Sequence, residues 1–317
     1  MSGGQQQIKS TREAFIQALM EIGARDKRCV LISADSLKAA RGTPFSDRWP
    51  ERVIETGIAE QGALNVAAGA AAMGFIPYVV TYAGFITMRA CEQMRTFIAY
   101  PNLPVRLVGL NGGLLGGERE GVTHQFYEDL AITRSIPGFT VLSPSDADAV
   151  YYATLATAEI KGPLYMRLGS GREPVSAVPV RPGYDPYPVR KVVDYGNDVA
   201  LFSTGFVLNR VIDAALKLQS QGIGCQVIDV AVLKPLDQSG ILEVFQQVKA
   251  VVTIEDHQIN GGLGSALAEF SGEQHPLPLK RIGLADTFGR SGLPDELLDA
   301  YGISREAIVS AARALLD

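Results

Sequence analysis

The first half of the chain alternates short apolar runs with segments whose apolar residues recur at helical spacing. Thr11–Ala24 has the helical period, and Cys29–Ser33 is a short apolar run typical of a strand buried on both faces. Val105–Leu110 and Thr140–Ser143 repeat the strand pattern, and Pro144–Asp146 opens a further helix. Strands and helices in alternation predict a mostly parallel sheet covered by helices.

The segment from Ala63 to Phe85 contains no charged residue, yet its composition does not favour a membrane span. It is rich in Ala and Gly instead of Leu, and Gly74 and Pro77 interrupt it. We predict a helix over Glu60–Met73, a turn, and a buried strand over Tyr78–Tyr82. No association with a membrane is therefore expected.

Proline marks two segments that we predict to lack regular structure. Pro44 and Pro50 lie in a predicted loop ahead of the strand-like Val53–Thr56. After Arg172 the composition changes, because residues 173–188 contain five prolines and have no helical period. Residues 173–190 are therefore a predicted linker.

The second half repeats the α/β pattern on a smaller scale. Its predicted strands are Asp198–Phe202, Gly224–Val230 and Ala250–Glu255, with helices over Val207–Gln219 and after Gly261–Gly264. The sequence thus predicts an α/β protein of two domains, residues 1–172 and 191–317. Each is expected to be a mostly parallel sheet covered by helices.

Composition narrows the class of protein. Hydrophobic residues make up 47% and charged residues 20%, which is the balance of a soluble globular protein. The net charge of -5 and the lack of a Lys/Arg cluster argue against nucleic acid as a partner. Cys29, Cys91 and Cys225 show no CxxC spacing, which favours a reduced, cytoplasmic protein.

Glu60 is the first candidate for chemistry. It stands in the GIAEQ sequence at 57–61, where a predicted strand and turn give way to the Ala/Gly helix. A carboxyl beside Ile58 and Leu64 would be poorly solvated, and desolvation raises the pKa of a carboxyl so that it can share a proton at neutral pH. A glutamate in the first turn is also favoured by the helix dipole alone, so the residues by themselves leave both interpretations open.

Two further segments are candidates for binding. Tyr82 and Phe85 end an apolar strand, where their rings would either flank a planar heterocycle or fill the core. The segment from Gly109 to Gly117 contains five glycines and leads to His124, one of three histidines. It matches neither the P-loop nor the dinucleotide-binding GxGxxG, so it indicates only that backbone comes close to another group. His124 taken alone is equally consistent with a surface histidine.

Taken in order, these segments resemble the pyrimidine-binding domain and the C-terminal domain of the transketolase family, over about residues 8–315. The matching segments are Ala34-Asp35, GIAEQ at 57–61, Tyr82 with Phe85, EGVTHQ at 120–125, Tyr165–Arg167, and DTFGRSG at 286–292. GIAEQ, a downstream THQ and a late FGxSG are specific in combination.

The resemblance implies thiamine diphosphate as the cofactor, which supplies a carbanion at its thiazolium ring. By resemblance, Glu60 hydrogen-bonds N1′ of the aminopyrimidine and promotes its imino form, for which it must be partly protonated. Ile58, Tyr82 and Phe85 are expected to pack on the pyrimidine ring, and Asp35 is expected to lie near the cofactor.

The same resemblance implies a set of substrate contacts. His124 is similar to the family histidine that hydrogen-bonds substrate oxygens, which makes it the second predicted catalytic residue beside Glu60. Arg12 and Arg167 match arginines that contact substrate phosphate, and Glu120 replaces an aspartate that reads substrate hydroxyls.

Two other phosphate-contacting positions of the family are missing here. Gly112 stands in place of a histidine and Ala39 in place of a serine. The cations that would compensate are Arg89, Arg119, Lys38 and Arg41. We expect a ketose substrate that is an unusual sugar phosphate, or one whose anionic group is different or absent.

The family also holds Mg²⁺ and the diphosphate with a GDG sequence and a later Asn, and no GDG occurs in this chain. We therefore expect a diphosphate-binding N-terminal subunit, here called alpha, that carries the Mg²⁺ ligands, with no metal ligands on this chain. The expected assembly is α₂β₂ with the site at the subunit interface. The predicted activity is transfer of a two-carbon ketol unit from a ketose to an aldose, active only with that partner.

Three alternatives remain at this point. A half enzyme similar to 1-deoxyxylulose-5-phosphate synthase and the β subunit of a 2-oxoacid or acetoin dehydrogenase use the same cofactor. A non-catalytic regulatory subunit would keep the fold without the reaction. The retained Glu60, Phe85 and His124 favour an enzyme.

Overall fold

The structure is a computed structural model that describes residues 10–117, 119–173 and 177–317. The elements of the first half are, in chain order, α1 (Thr11–Arg25), β1 (Cys29–Ser33), α2 (Thr43–Arg48), β2 (Val53–Glu55), α3 (Glu60–Ala72), β3 (Ile76–Tyr82), π-helical segments Phe85–Arg89 and Gln93–Ala99, β4 (Arg106–Leu110), α4 (Asp129–Ser135), β5 (Thr140–Leu142), α5 (Ala147–Ala156) and β6 (Leu164–Arg167).

The second half continues with β7 (Arg190–Asp194), β8 (Val199–Thr204), α6 (Leu208–Ser220), β9 (Cys225–Asp229), β10 (Val232–Lys234), α7 (Gln238–Phe245), β11 (Ala250–Gln258), α8 (Leu263–Glu273), β12 (Leu279–Leu284), α9 (Pro294–Ala300) and α10 (Arg305–Leu316). Short 3₁₀ turns cover Pro50–Arg52 and Gly205–Val207.

The first sheet has seven strands in the order β10-β5-β6-β4-β3-β1-β2. Its pairings are parallel except the one between β10 and β5. Strand β1 lies between β2 and β3, so the strand order reverses direction at β1. In open α/β sheets ligands bind outside the carboxyl ends of the strands at such a switch point.

The second sheet has five strands in the order β12-β11-β8-β9-β7, and only β7 is antiparallel to its neighbour. Two mostly parallel sheets flanked by helices confirm the predicted fold class. The two sheets do not divide cleanly along the chain, because β10 belongs to the second half but pairs with β5 of the first sheet. One buried cluster joins Val79 of the first half with Ile228 and Phe245 of the second.

Local sequence explains where several helices begin. The side chain of Ser10 accepts a hydrogen bond from the backbone of Glu13 at 3.3 Å and caps α1. Asp146 accepts from Ala149 at 2.7 Å and caps α5, as the Pro144–Asp146 signal predicts. A side-chain oxygen at this position satisfies an amide that has no partner within the helix.

The predicted loop around Pro44 and Pro50 is wrong in detail, because it contains α2 and a 3₁₀ turn. Each proline lies in the first turn, where the missing N–H has no helical partner to lose. The predicted linker 173–190 has no helix or strand in its described part before β7 begins at Arg190, and residues 174–176 lie outside the described residues. The exact domain boundaries stay a prediction.

Candidate active site

Glu60 is the first residue of α3 and is 2% exposed. The buried face of the helix beside it consists of Ala63, Leu64 and further alanines, as the sequence predicts. The setting is not purely apolar, however. Nη1 of Arg89 lies 2.9 Å from both carboxylate oxygens of Glu60.

Arg89 ends the π-helical segment Phe85–Arg89 and reaches inward from the surface, with 48% of its side chain exposed. Its guanidinium carbon lies 4.2 Å from the centroid of the Phe85 ring, within the range of a cation–π contact. Its backbone carbonyl accepts a hydrogen bond from Nε2 of Gln61 at 3.0 Å. The predicted substrate contact is therefore the ion-pair partner of Glu60 in this structure.

Four rings form an edge-to-face cluster next to this ion pair. The Phe85 ring centroid lies 5.6 Å from that of Tyr82, 5.5 Å from that of His124 and 5.2 Å from that of Phe126. The rings of Tyr82 and His124 are 5.3 Å apart. Tyr82, Phe85 and His124 are partly exposed, whereas Phe126 is buried. The structure thus brings His124 against Tyr82 and Phe85, which lie on a separate segment of the sequence.

Phe126 was not predicted for this site. It packs directly on Gly84, where any Cβ would overlap its ring. No local pattern in the sequence points to it, because its contacts with Gly84 and Phe85 join segments that are far apart in the chain. Phe126 supports the Phe85 ring from below the exposed surface.

The imidazole of His124 is oriented by local bonds. Its Nδ1 lies 3.0 Å from Oγ1 of Thr123, and its backbone N–H donates to the carbonyl of Gly121 at 2.9 Å. Glu120 is exposed just ahead of this turn. The turn therefore presents one imidazole and one carboxylate near the ring cluster.

Asp35 and Ile58 lie at the same carboxyl-end edge of the sheet, after β1 and β2. Asp35 has a left-handed φ of 56°, and its backbone N–H donates to Oε1 of Glu55 at 2.6 Å. Ile58 is 76% exposed. Ser36, next to Asp35, lies 3.0 Å from the Oγ1 of Thr81 on β3, which joins the two strands at the switch point.

The glycine-rich segment is buried from Asn111 to Gly117 and packs on protein groups. A Cβ at Gly112 would overlap the side chain of Arg167, and one at Gly113 would overlap Asp256. The close backbone approach predicted from these glycines is therefore an approach to the chain's own side chains. It also explains why a histidine could not occupy position 112 beside this Arg167.

Arg12 is 8% exposed and its donors are largely engaged. Nε donates to the carbonyl of Gly169 at 3.0 Å, Nη1 to that of Ala39 at 2.9 Å, and Nη2 to Oδ1 of Asn111. Arg12 therefore links three segments below the surface, and its predicted contact with substrate phosphate stays a prediction.

Arg167 is placed differently from the sequence-based prediction. It is 2% exposed and pairs with both carboxylate oxygens of Asp129, which is itself fully buried. It also donates to the backbone carbonyl of Asp256 at 2.7 Å, and the hydroxyl of Tyr165 donates to Oδ2 of Asp129 at 2.5 Å. The structure therefore gives Arg167 a structural role in the buried interior, and its predicted contact with substrate phosphate stays a prediction.

Asp129 and Arg167 belong to a buried polar network that also includes Glu255, Asp256 and His257 of β11. Asp256 accepts hydrogen bonds from the backbone of Leu114 at 2.7 Å and Leu115 at 3.2 Å. Although burial alone would raise the pKa of Asp129, the neighbouring Arg167 holds it below its usual value. The network therefore ties the glycine-rich segment of the first half to β11 of the second.

Glu255 and His257 complete the network with opposite pKa shifts. Burial raises the pKa of Glu255 to about 7, although it accepts bonds from the backbone of Leu263 at 2.7 Å and Gly264 at 2.8 Å. Burial lowers the pKa of His257 to about 4. A neutral ring protonated on Nδ1 fits both of its bonds, since Nδ1 lies 2.7 Å from the carbonyl of Gln258 and Nε2 accepts from the backbone of Ala131 at 3.3 Å.

The part of the chain that the structure describes contains neither a cluster of metal ligands nor a membrane-spanning helix. No group of three or more His, Cys, Asp or Glu side chains is arranged to hold a metal ion within that part of the chain. None of its helices is both long enough and apolar enough to span a membrane.

Two family models match the chain: the transketolase pyrimidine binding domain over residues 7–172 and the transketolase C-terminal domain over residues 189–308. Together they cover most of the sequence. The chain therefore belongs to the transketolase family.

Individual relatives narrow this assignment. The chain is similar to the 6-deoxy-6-sulfo-D-fructose transketolase subunit SqwH of Clostridium sp. (strain MSTE9), with 37% identity over 96% of this chain and 94% of the relative. A solved structure described as a split gene transketolase, inactive beta4 tetramer, matches with a TM-score of 0.86 and 36% identity, covering 97% of this chain and 98% of the other. These findings confirm the predicted subunit of a split transketolase, a transferase that works as part of a heteromeric enzyme.

A longer relative shares the same two domains. The 1-deoxy-D-xylulose-5-phosphate synthase of Thioalkalivibrio sulfidiphilus is 36% identical over 97% of this chain, which spans 47% of that enzyme.

Proposed function

We propose that this chain supplies the pyrimidine side of a thiamine-diphosphate site and transfers two-carbon ketol units once it is assembled with a diphosphate-binding partner. The observation that carries the proposal is the buried carboxylate of Glu60 beside the partly exposed rings of Tyr82, Phe85 and His124. A protonatable acid next to flat apolar faces fits the donor set of an aminopyrimidine ring.

The bound cofactor supplies a nucleophilic carbon that forms and breaks the bonds of the sugar. Glu60 would hold the pyrimidine ring of the bound cofactor through a hydrogen bond to its carboxyl group. Arg89 has to share or release that carboxylate, because it contacts both oxygens in this structure. Phe85 and Tyr82 orient the ring and exclude water from one side of it. His124 donates to, or accepts from, hydroxyl groups of the sugar.

The proposal places the Mg²⁺ ligands on a partner subunit, in an α₂β₂ assembly. Its support is a surface of exposed apolar side chains on and around α3, which the π-helical segment Gln93–Ala99 packs against. These side chains are Ile58, Val66, Met73, Phe75, Met88, Phe97 and Tyr100. Exposed apolar side chains on adjoining segments favour an interface with another protein. A relative whose β chain alone forms an inactive tetramer is in keeping with a requirement for a second kind of subunit.

The proposed substrate is an anionic ketose. The relative SqwH is named for a sulfonated sugar, and this chain lacks a histidine and a serine at Gly112 and Ala39. Arg12 and Arg167, the two matching arginines, are largely engaged with protein groups. We therefore propose that the anion is a phosphate or a sulfonate bound by other cations near the site mouth, with Arg119, Lys38 and Arg41 as the candidates. A cytoplasmic location is part of the proposal, and its support is three free cysteines.

The test is reconstitution. The chain is purified alone and with a partner that carries GDG and a later Asn, and ketol transfer is measured with phosphorylated and 6-sulfo ketose donors and aldose acceptors, in the presence of thiamine diphosphate and Mg²⁺. We expect transfer only by the pair. Full transfer by the chain alone, or cofactor binding by the pair without any turnover, would refute the proposal, and the second outcome would favour a regulatory subunit.

A second candidate is a half enzyme of the 1-deoxyxylulose-5-phosphate synthase type. It is favoured by the 36% identity that extends over 97% of this chain. Pyruvate distinguishes the two, because the synthase reaction releases carbon dioxide from a 2-oxo acid while ketol transfer does not. Carbon dioxide release by the pair with pyruvate and an aldose phosphate would establish the second candidate.

A further inference from the structure

A loop of the second half, residues 286–292, lies directly against the turn that carries His124. We call it the C-terminal loop. Nε2 of Gln125 donates to the carbonyl of Arg290 at 2.9 Å, which joins the C-terminal loop to the residue that follows His124. Gln125 is 2% exposed, so this bond is shielded from water.

The C-terminal loop is also bound through Tyr127 and Gln258. The backbone N–H of Gly289 donates to the hydroxyl of Tyr127 at 2.7 Å. Gln258 donates through Nε2 to the carbonyl of Thr287 at 2.9 Å and accepts at Oε1 from the backbone of Asp286 at 3.1 Å. Its own backbone N–H donates to the carbonyl of Tyr127 at 2.8 Å. Gln258, at the end of β11, therefore binds both Tyr127, which follows the His124 turn, and the C-terminal loop.

Glycines make the approach possible. A Cβ at Gly289 would overlap Oε1 of Gln125, which is buried and has no hydrogen-bond partner among the described residues. A Cβ at Gly121 would lie 2.7 Å from Oγ of Ser291, and Gly121 has a left-handed φ of 77°. The turn and the C-terminal loop therefore interlock through two positions that only glycine fits.

The contact bears directly on the imidazole. The backbone N–H groups of His124 and Gln125 both donate to the carbonyl of Gly121, at 2.9 and 3.1 Å. The C-terminal loop holds this turn at two points, because Arg290 binds Gln125 and Ser291 packs on Gly121. The fixed turn sets the orientation of the His124 ring against Tyr82 and Phe85.

We propose that Gln125, Tyr127 and Gly289 are positioning residues, through which the second half of the chain sets the placement of His124 toward the sugar. The inference rests on the proposed function in so far as His124 contacts the substrate. It assigns to the FGRSG sequence at 288–292 a role in the site, although none of its side chains belongs to the ring cluster. Fixed placement of His124 matters because a catalytic group that is displaced by about 1 Å can lower the reaction rate about 100-fold.

The first test compares Gly289→Ala with Gly272→Ala. Gly272 lies on α8, where a Cβ meets no other group, so it is a matched control. On the isolated full chain we expect hydrogen–deuterium exchange of residues 119–127 to be about tenfold faster in Gly289→Ala and unchanged in Gly272→Ala. In the reconstituted pair we expect kcat/KM for the ketose to fall by about tenfold to 100-fold in Gly289→Ala, with an unchanged affinity for thiamine diphosphate.

A second variant separates the contact from general damage to the loop. Gln125→Ala removes the donor to Arg290, and it also removes the nearest obstacle to a methyl group at position 289, which leaves only the end of the Leu114 side chain at 2.9 Å. The effects of Gln125→Ala and Gly289→Ala should therefore not add, and the double variant should be no slower than Gln125→Ala alone. Additive losses, or equal losses in cofactor affinity and in kcat/KM, would overturn the positioning role.

The outcomes distinguish this inference from the proposed function. An unmodified pair that transfers no ketol unit refutes the proposed function. An active pair in which Gly289→Ala retains full kcat/KM refutes the positioning role alone. Unchanged exchange in residues 119–127 would refute the interlock itself, whatever the enzyme does.

Discussion

The charged side chains around Glu60 and those around Asp129 differ in how completely the protein itself satisfies them. Around Glu60, one half-exposed cation, Arg89, contacts the carboxylate, and the neighbouring rings remain partly open. Around Asp129, the partners of the carboxylate are Arg167 and Tyr165, and both are buried.

The difference separates a binding site from a structural clamp. A buried network in which charged groups find partners is rigid and has no capacity left for a ligand. A carboxylate at a helix start whose partner is a half-exposed cation can exchange that partner for another group. Similarity of sequence alone does not distinguish the two, since Arg89 and Arg167 are both predicted as substrate contacts.

The largest effect is expected from Glu60→Gln. The amide cannot hold the exchangeable proton, so turnover of the reconstituted pair should fall by about 10²- to 10⁴-fold. Ketol transfer at saturating cofactor measures this, and Glu243→Gln on an exposed part of α7 is the control. Full turnover of Glu60→Gln would show that Glu60 is not a catalytic residue.

Arg167→Met tests the structural half. It leaves Asp129 buried without its cation, so the free energy of unfolding should fall by about 3–5 kcal/mol. Urea denaturation of the isolated chain measures it, with the exposed Arg305→Met as a control that should unfold at the same urea concentration as the parent. A variant of normal stability that has lost its affinity for the sugar would instead support the predicted contact between Arg167 and the substrate.

We expect His257 and Glu255 to affect the pH dependence of stability in opposite directions. As pH falls from about 6.5 to about 4, the unfolded chain takes up a proton on His257 that the fold excludes, so stability falls by up to about 3 kcal/mol. Glu255 acts oppositely, because the fold holds a proton between about pH 4.5 and 7 and stability falls as pH rises through that window.

Two variants separate these contributions. Relative to the unmodified chain, His257→Gln should gain stability as the pH is lowered from 6.5 to 4, and Glu255→Gln should lose stability as the pH is lowered from 7 to 4.5. Urea denaturation across this range measures both differences. Parallel pH profiles in all three proteins would contradict the opposed pair.

Arg89→Met should have a smaller effect on stability. Methionine keeps an apolar side chain at this position but loses the cation that pairs with Glu60 and lies over the Phe85 ring, so the free energy of unfolding should fall by about 1–2 kcal/mol. In a Glu60→Gln background the same change should cost much less, because a neutral amide needs no cation. Thermal unfolding of the four proteins gives the coupling, and an equal cost in both backgrounds would show that the ion pair does not hold this region.

The smallest effect is expected from Glu120→Ala, at the exposed mouth of the site. Loss of a hydrogen bond to a sugar hydroxyl corresponds to about 1 kcal/mol, or a roughly fivefold change in preference between acceptors. Competition between two aldoses measures it, with Glu273→Ala as a remote control on α8. An equal loss of cofactor affinity would contradict a role confined to the acceptor.

Much of the fold follows from patterns that act over a few residues. The apolar run at Cys29–Ser33 is β1 to the residue, and Thr11–Ala24 is α1 to within one residue. The predicted strand over Val105–Leu110 is β4 to within one residue. These elements are set by burial period and caps, which the neighbouring residues decide.

The candidate site was predicted only in part. GIAEQ, Tyr82, Phe85 and His124 stand out in the sequence, and the structure brings them together. Phe126 and the ion pair of Arg89 with Glu60 were missed, because their contacts join segments far apart in the chain and carry no local pattern. For the same reason the sequence could not show that the glycine-rich segment packs on Asp256.

The sequence by itself determined the class of fold, the family and the residues able to carry the chemistry, because periodicity and residue type are local properties. Only the tertiary structure decided which arginines remain exposed enough to bind a ligand. Arg167 lies 38 residues from Asp129 in the sequence and is buried in an ion pair with it. Arg89 lies 29 residues from Glu60 and remains half-exposed. The pairing of distant charges depends on which of them folding removes from water, and that is a property of the packed chain alone.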